Sequence, residues 1–124
     1  LEQALPAISL VSQSSISTAY INDVGASCVY AQQVFGYGRE EDCFLGISTS
    51  GNSDNIIYAA VTAKAMGLRT IGLTGATGGE MKQYMDVCIC VPREHTHRIQ
   101  ELHLPIYHCL CMMVENYFFG EVYE

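Results

Sequence analysis

Tryptophan is absent from this chain, proline occurs three times, and lysine plus arginine together number six. The six cations stand apart, at Arg39, Lys64, Arg69, Lys82, Arg93 and Arg98, against 13 acidic residues and a net charge of −7. No basic patch exists to track a phosphate backbone, which excludes nucleic acid as a direct partner. No apolar run approaches the ~20 residues a membrane span requires, so no membrane association is expected. No signal-peptide pattern is visible either. Zinc-finger spacing is missing from the six cysteines (28, 43, 88, 90, 109 and 111), four of which sit inside strongly apolar runs. They read as small core residues in a reducing cytoplasm.

What remains is a folded globular composition: 124 residues, 49% hydrophobic and only 15% charged. That length holds one domain with one modest core, here taken as residues 1–124. The first residue is Leu1 rather than methionine. The expectation is therefore that the chain begins inside a longer gene product and is incomplete at its N-terminus.

Strand-like and helix-like patterns alternate along the chain. Pro6 precedes an apolar run, Ala7 to Val11, read as a strand. Ser12 to Ser17 is polar and reads as a turn. Residues 23–35 read as a helix closed by Gly36 and Gly38, and 39–42 as a charged turn. Cys43 to Ser48 is a second strand. Ser53 or Asp54 caps a helix to about Met66, with apolar positions at 56, 60, 63 and 66 and Gly67 as the C-terminal stop. Arg69 to Thr74 is a third strand. Gly78 and Gly79 open a short helix through Tyr84, and Asp86 to Val91 is a fourth strand stopped by Pro92. A long helix follows from about Thr96 to Phe119, its apolar stripe at 99, 102, 106, 110, 113 and 117. Strands apolar on both faces, alternating with helices, predict a parallel sheet covered on both sides. The expected fold is a three-layer α-β-α sandwich of flavodoxin-like or Rossmann-like type, with ligands beyond the carboxyl ends of the strands.

Residues 45–53, Leu-Gly-Ile-Ser-Thr-Ser-Gly-Asn-Ser, lie at such an end. An apolar strand stops at four hydroxyls (Ser48, Thr49, Ser50, Ser53) and a glycine just before a helix. First-turn amides lack internal partners and carry the positive end of the helix dipole, which suits an anion. Gly51 lets the backbone approach a ligand closely. Four hydroxyls in six positions exceed what a helix cap needs. The segment reads as a phosphate site.

Three segments carry a resemblance to the sugar isomerase (SIS) domain, and within it to the bacterial phosphoheptose isomerase family. They are Leu45 to Ser53, Leu73-Thr-Gly-Ala-Thr-Gly-Gly79, and Arg98-Ile-Gln-Glu-Leu-His103 with His108 five residues on. The first is shared by much of the superfamily; the third is more specific. The similarity runs from about Gly36 to Phe119, with a weaker echo at Leu5 to Ile8. It implies a SIS fold and interconversion of sedoheptulose 7-phosphate with an aldoheptose 7-phosphate through an enediol. By position, Ser48, Thr49, Ser50 and Ser53 would hold the sugar phosphate, and His108 would be one of two acid/base groups. Gln100 would contact substrate or metal. Some members bind zinc, with Gln100 and His108 among the matching ligands, and no nucleotide cofactor is implied. A homotetramer with shared active sites is implied as well.

The chain departs from that pattern upstream. Members carry an N-terminal helical region, a Gly-Asn-Gly-Gly-Ser motif and a helix bearing the catalytic glutamate, none of which is present. Gln13 falls where an aspartate is typical. These departures keep a second reading open: a non-catalytic phosphosugar-binding or protein-interaction module, of the replication-initiator-associating or regulatory type. Another SIS enzyme, such as an arabinose 5-phosphate isomerase, is disfavoured by the Arg98 to Glu101 signature. His103, between apolar neighbours, reads as a packed and hydrogen-bonded residue. Pro105 is expected to kink the last helix by clashing with the Glu101 carbonyl.

Overall fold

A computed structural model of the chain describes residues 4–120. Its elements run α1 (Ser14–Asp23), α2 (Val29–Tyr37), β1 (Cys43–Ile47), α3 (Asp54–Ala65), β2 (Arg69–Thr74), β3 (Val87–Cys90) and α4 (Thr96–Phe119). Short 3-10 turns occupy Leu10–Ser12 and Glu80–Tyr84. The three strands form a parallel sheet in the order β1-β2-β3. None of the helices among the described residues is long and apolar enough to cross a membrane.

One face of the sheet is closed by α3 and the second 3-10 turn. Gly46 and Gly72 are register partners in the centre of this face. A Cβ on Gly46 would lie 3.0–3.1 Å from Phe44, Ile56 and Met85, and one on Gly72 3.0–3.2 Å from Met85, Met81 and Cys88. Two residues without side chains thus seat the methionines against bare backbone, and methionine's flexible thioether fills the irregular space. Val34, Ile57, Ala60, Ala63 and Leu68 complete this core. Its apolar surface supplies most of the driving force, at about 25 cal/mol per Å² buried. Helix α3 ends as its sequence predicts. Gly67 has φ +82°, its amide donates to Lys64 O and that of Leu68 to Ala63 O, the paired bonds of a Schellman stop.

The opposite face is less covered than a doubly wrapped sheet requires. Leu45, Ile47 and Val87 are 45, 46 and 56% exposed. Helix α4 meets the rest of the molecule near its start and buries only Ile99 and His103. The stripe expected along it stays open further on, with Met113 and Tyr117 exposed. The helix continues through Pro105 without interruption.

The N-terminal third differs from the sequence reading. Ala7–Val11 is not a strand. Pro6–Val11 lines an open groove with Val34, Tyr37, Leu45 and Ile47, and the 3-10 turn starts at Leu10. Ser12–Ser17, expected to be a turn, contains the start of α1, a helix with no buried residue and hence no apolar stripe to announce it. The single helix expected over 23–35 is divided at Gly25, whose φ of +135° no helix accommodates. Gly36 lies inside α2 rather than closing it, and the stop is Gly38. A Cβ there would sit 2.7 Å from Val34 O and 3.2 Å from Leu68.

Candidate active site at the carboxyl ends of the strands

The loops after β1 and β2 meet backbone to backbone. Gly51 has φ +68°, and a Cβ built on it would lie 2.1 Å from Gly78 O. Gly79 has φ +57°, and its Cβ would lie 2.5 Å from Ser50 O. Only glycine fits this seam. Across it Met81 N donates to Gly51 O at 2.8 Å, and Glu80 N to the Asn52 side-chain oxygen at 2.8 Å. Gly75 N donates to Thr49 O at 3.1 Å, and Ala76 N to Arg93 O at 3.0 Å, which ties in the approach to α4.

Within the first loop the hydroxyls divide the work. Ser48 is buried, and its Oγ accepts from Gly51 N at 3.1 Å and shares a hydrogen bond with Ser53 Oγ at 3.0 Å. Ser48 shapes the loop from inside. Ser53 stands at the N-cap position of α3, but its hydroxyl makes no capping bond and is turned to Ser48 instead. The expected side-chain cap is therefore absent. Ser50 is exposed, and its Oγ accepts from Asn52 N at 3.1 Å, leaving its proton free to donate. Thr49 is half-buried. Beside these hydroxyls, the amides of Asp54 and Asn55 precede the first intrahelical bonds of α3. Converging neutral donors and a helix N-terminus can hold an anion without a fixed countercharge.

The third component is α4. Gln100 and His108 are both exposed, and His108 lies against the Tyr107 ring with centroids 5.3 Å apart. Eight residues of helix separate the two by ~12 Å along the axis. Glu101 pairs with Arg98 at 3.0 Å on the surface, so its role is local to the helix. His95 and His97 stack at 6.2 Å before and within the first turn. His103, by contrast, is 2% exposed, and its Nε2 lies 3.1 Å from Thr74 O.

Zinc takes three or four protein ligands drawn from Cys, His, Asp and Glu. Among the described residues no group of three such side chains converges. Gln100 and His108, two turns apart on α4, supply by themselves fewer donors than a zinc ion takes. All six thiols are free. Cys88 and Cys90 share one face of β3 with Sγ atoms 3.9 Å apart. Burial, with the neighbouring Cys90 thiol adding to it, pushes Cys88 up to about 11.

At the far end of the sheet Asp86 is structural. Its carboxylate accepts from Thr70 N at 2.9 Å, and Lys64 Nζ lies 3.5 Å away. The Thr70 amide, with Lys64 adding to it, holds this carboxyl below its usual range.

Two glycine-seamed loops and a helix N-terminus at the carboxyl end of a parallel sheet stand where α/β folds of this class place their ligands. Residues 2–75 match the family model for the SIS domain. The chain belongs to the SIS-domain family. It is 45% identical over 117 residues to the phosphoheptose isomerase of Akkermansia muciniphila, covering 94% of this chain and 62% of that protein. It is 46% identical over 119 residues to that of Clostridium acetobutylicum, covering 96% and 61%. Among solved structures, the phosphoheptose isomerase of Neisseria gonorrhoeae superposes with a TM-score of 0.82 at 40% identity, covering 84% of this chain and 59% of that one. A phosphoheptose isomerase from Francisella tularensis gives 0.85 at 39%, covering 89% and 59%. The chain thus spans about three fifths of the length of the relatives it matches.

Proposed function

We propose that this chain is the larger part of a phosphosugar isomerase that interconverts an aldose and a ketose phosphate, with sedoheptulose 7-phosphate as substrate. The observation that carries the reading is the hydroxyl loop, Ser48 to Ser53, set at the N-terminus of α3. It stands in a chain whose relatives bear the name phosphoheptose isomerase. Thr49, Ser50 and Ser53, with the first amides of α3, hold the phosphate, and Ser48 shapes the loop around it. Isomerisation removes a proton from the carbon beside the carbonyl, passes through an enediol and returns a proton to the adjacent carbon. His108 is one of the two groups that exchange these protons, and Gln100 orients the sugar. No second acid/base group is assigned among the described residues. Zinc, where bound to Gln100 and His108, would need further donors beside them.

The exposed apolar residues of the sheet (Leu45, Ile47, Val87) and of α4 (Met113, Tyr117, Phe118) support burial in an oligomer, for which we propose a tetramer. Six unpaired thiols support a cytoplasmic site. The test is to incubate the whole gene product with sedoheptulose 7-phosphate and follow aldose formation by NMR. Turnover is expected, with His108→Gln lowering kcat by about 10²–10⁴-fold, as loss of a general acid/base does. Binding of sugar phosphates without turnover of any would replace the isomerase with a non-catalytic phosphosugar-binding module. Beside the upstream departures and Gln13, that alternative is supported by the exposure of His108, with no carboxylate paired to it among the described residues.

A further inference from the structure

Only two residues of α4 are buried, Ile99 and His103, one turn apart on the same face. Ile99 packs directly on backbone, since a Cβ on Gly75 would lie 2.6 Å from its Cδ1. His103 sets its Nε2 3.1 Å from Thr74 O, and that carbonyl also accepts from Val91 N at 3.0 Å. Its two lone pairs are therefore both engaged. A carbonyl can only accept, so Nε2 carries the proton in this contact, and Nδ1 is the ring nitrogen left without one. Nδ1 is buried and has no partner among the described residues.

The Thr74 carbonyl and the Gly75 amide belong to one peptide plane, and Gly75 N donates to Thr49 O at 3.1 Å. The plane is held on one side by the imidazole and on the other by the hydroxyl loop. Such chains of hydrogen bonds polarise and orient one another. The same contact sets the rotation of α4 about its axis. At 100° per residue, Gln100 lies 60° and His108 140° around the helix from His103, in the same sense. A 20° rotation would move side chains at the 5–6 Å outer radius by about 2 Å.

We propose that His103 is a positioning residue, clamping the 74–75 peptide through Nε2–H and so fixing both the Thr49 end of the hydroxyl loop and the rotational setting of α4. Its effect on turnover rests on the isomerase reading; the clamp itself does not.

The experiment has one arm for each. In the wild-type protein, ¹⁵N NMR of the imidazoles is expected to show His103 as the neutral Nε2–H form with Nδ1 unprotonated. His103→Leu keeps the bulk without the donor, and His103→Gln offers an amide donor at similar reach. Loss of one hydrogen bond is expected to speed exchange of the Gly75 amide about two- to tenfold in His103→Leu. Resonances of Thr49 to Gly51 should shift with it, and His103→Gln should restore both. With sedoheptulose 7-phosphate, His103→Leu is expected to lower kcat 10- to 100-fold with KM changed less, because misplacement near 1 Å acts on the reacting geometry. His103→Gln should recover most of it. An Nδ1–H ring in the wild type overturns the proposal even where the leucine variant does not fold. So does a folded His103→Leu with unchanged Gly75 exchange and loop resonances, or a glutamine variant no better than the leucine one. Absence of turnover in the wild type removes the isomerase reading and leaves the NMR arm to decide the clamp.

Discussion

Replacing Gly51 by alanine tests the glycine seam directly, and its cost follows from the structure. The residue sits at φ +68°, a conformation that costs a non-glycine residue about 1–2 kcal/mol. The new Cβ would fall 2.1 Å from Gly78 O, 2.6 Å from Gly78 C and 2.9 Å from Gly79 N. All three are backbone atoms, so no side chain can swing aside, and the loops must part by about 1 Å to reach ordinary contact. Parting them strains Met81 N to Gly51 O and Glu80 N to Asn52 Oδ1. Each is worth about 0.5–1.5 kcal/mol net. The sum is about 2–5 kcal/mol. For a domain of this size 1 kcal/mol moves Tm by roughly 4 °C, giving a fall of about 8–20 °C.

Gly36 supplies a control of opposite sign. It lies inside α2, at ordinary helical φ, and a Cβ there meets nothing within 4 Å. Gly36→Ala should raise stability by about 0.5–1 kcal/mol by removing the entropy of a helical glycine. Differential scanning fluorimetry or calorimetry on both variants decides the matter. A Gly51→Ala protein that melts with the wild type would refute the seam as described.

Ser48→Ala should destabilise by about 1–3 kcal/mol, since it strips a partner from both Gly51 N and Ser53 Oγ; Ser50→Ala should leave Tm within about 2 °C. Calorimetry on Ser50→Ala should instead show sugar-phosphate affinity reduced about ten- to a hundredfold, the worth of a hydrogen bond to a charged group, and equal affinity for the unphosphorylated sugar would contradict a phosphate site. Mass-resolved alkylation at pH 8 should label the exposed Cys109 and Cys111 well before Cys88, whose thiol is pushed up to about 11 by burial and so is almost wholly protonated there. Asp86, lowered by the Thr70 amide and then by Lys64, contributes stability that is present above its ordinary carboxylate range and lost as pH falls through its lowered value. Asp86→Asn should therefore melt lower at pH 7 and lose less stability than the wild type on acidification, which thermal melts from pH 7 to 3 would show.

What was legible in the sequence follows the strength of the local signal. The stretch from Cys43 to Phe119 carries clear punctuation. Gly67 stops α3, Pro92 stops the last strand, and α4 runs over the residues its pattern predicts. The segment before Cys43 lacks it. Helix α1 buries nothing, so no periodic apolar face distinguishes Ser14–Asp23 from a polar turn. Gly25 sits among apolar neighbours that continue a helical pattern, and only its positive φ reveals that the chain breaks there. The apolar run Ala7–Val11 has the composition of a strand without a pairing partner in place, and strand propensity reflects packing more than an intrinsic backbone preference.

The site divides in the same way. That hydroxyls and glycine cluster at a strand end is composition, and reading it needs no coordinates. Which hydroxyl faces outward is a matter of geometry. Ser48 and Ser53 are hydrogen-bonded to each other through their hydroxyls, whereas the exposed Ser50 hydroxyl accepts from Asn52 N. The histidines on α4 show the converse. An apolar neighbourhood in sequence surrounds both His103 and His108, yet the five-residue spacing puts them 140° apart around the helix. Only the one on the face of Ile99 can be buried with it. Helical phase, anchored by Ile99 against Gly75, therefore decides which histidine braces the fold and which is free to meet a ligand.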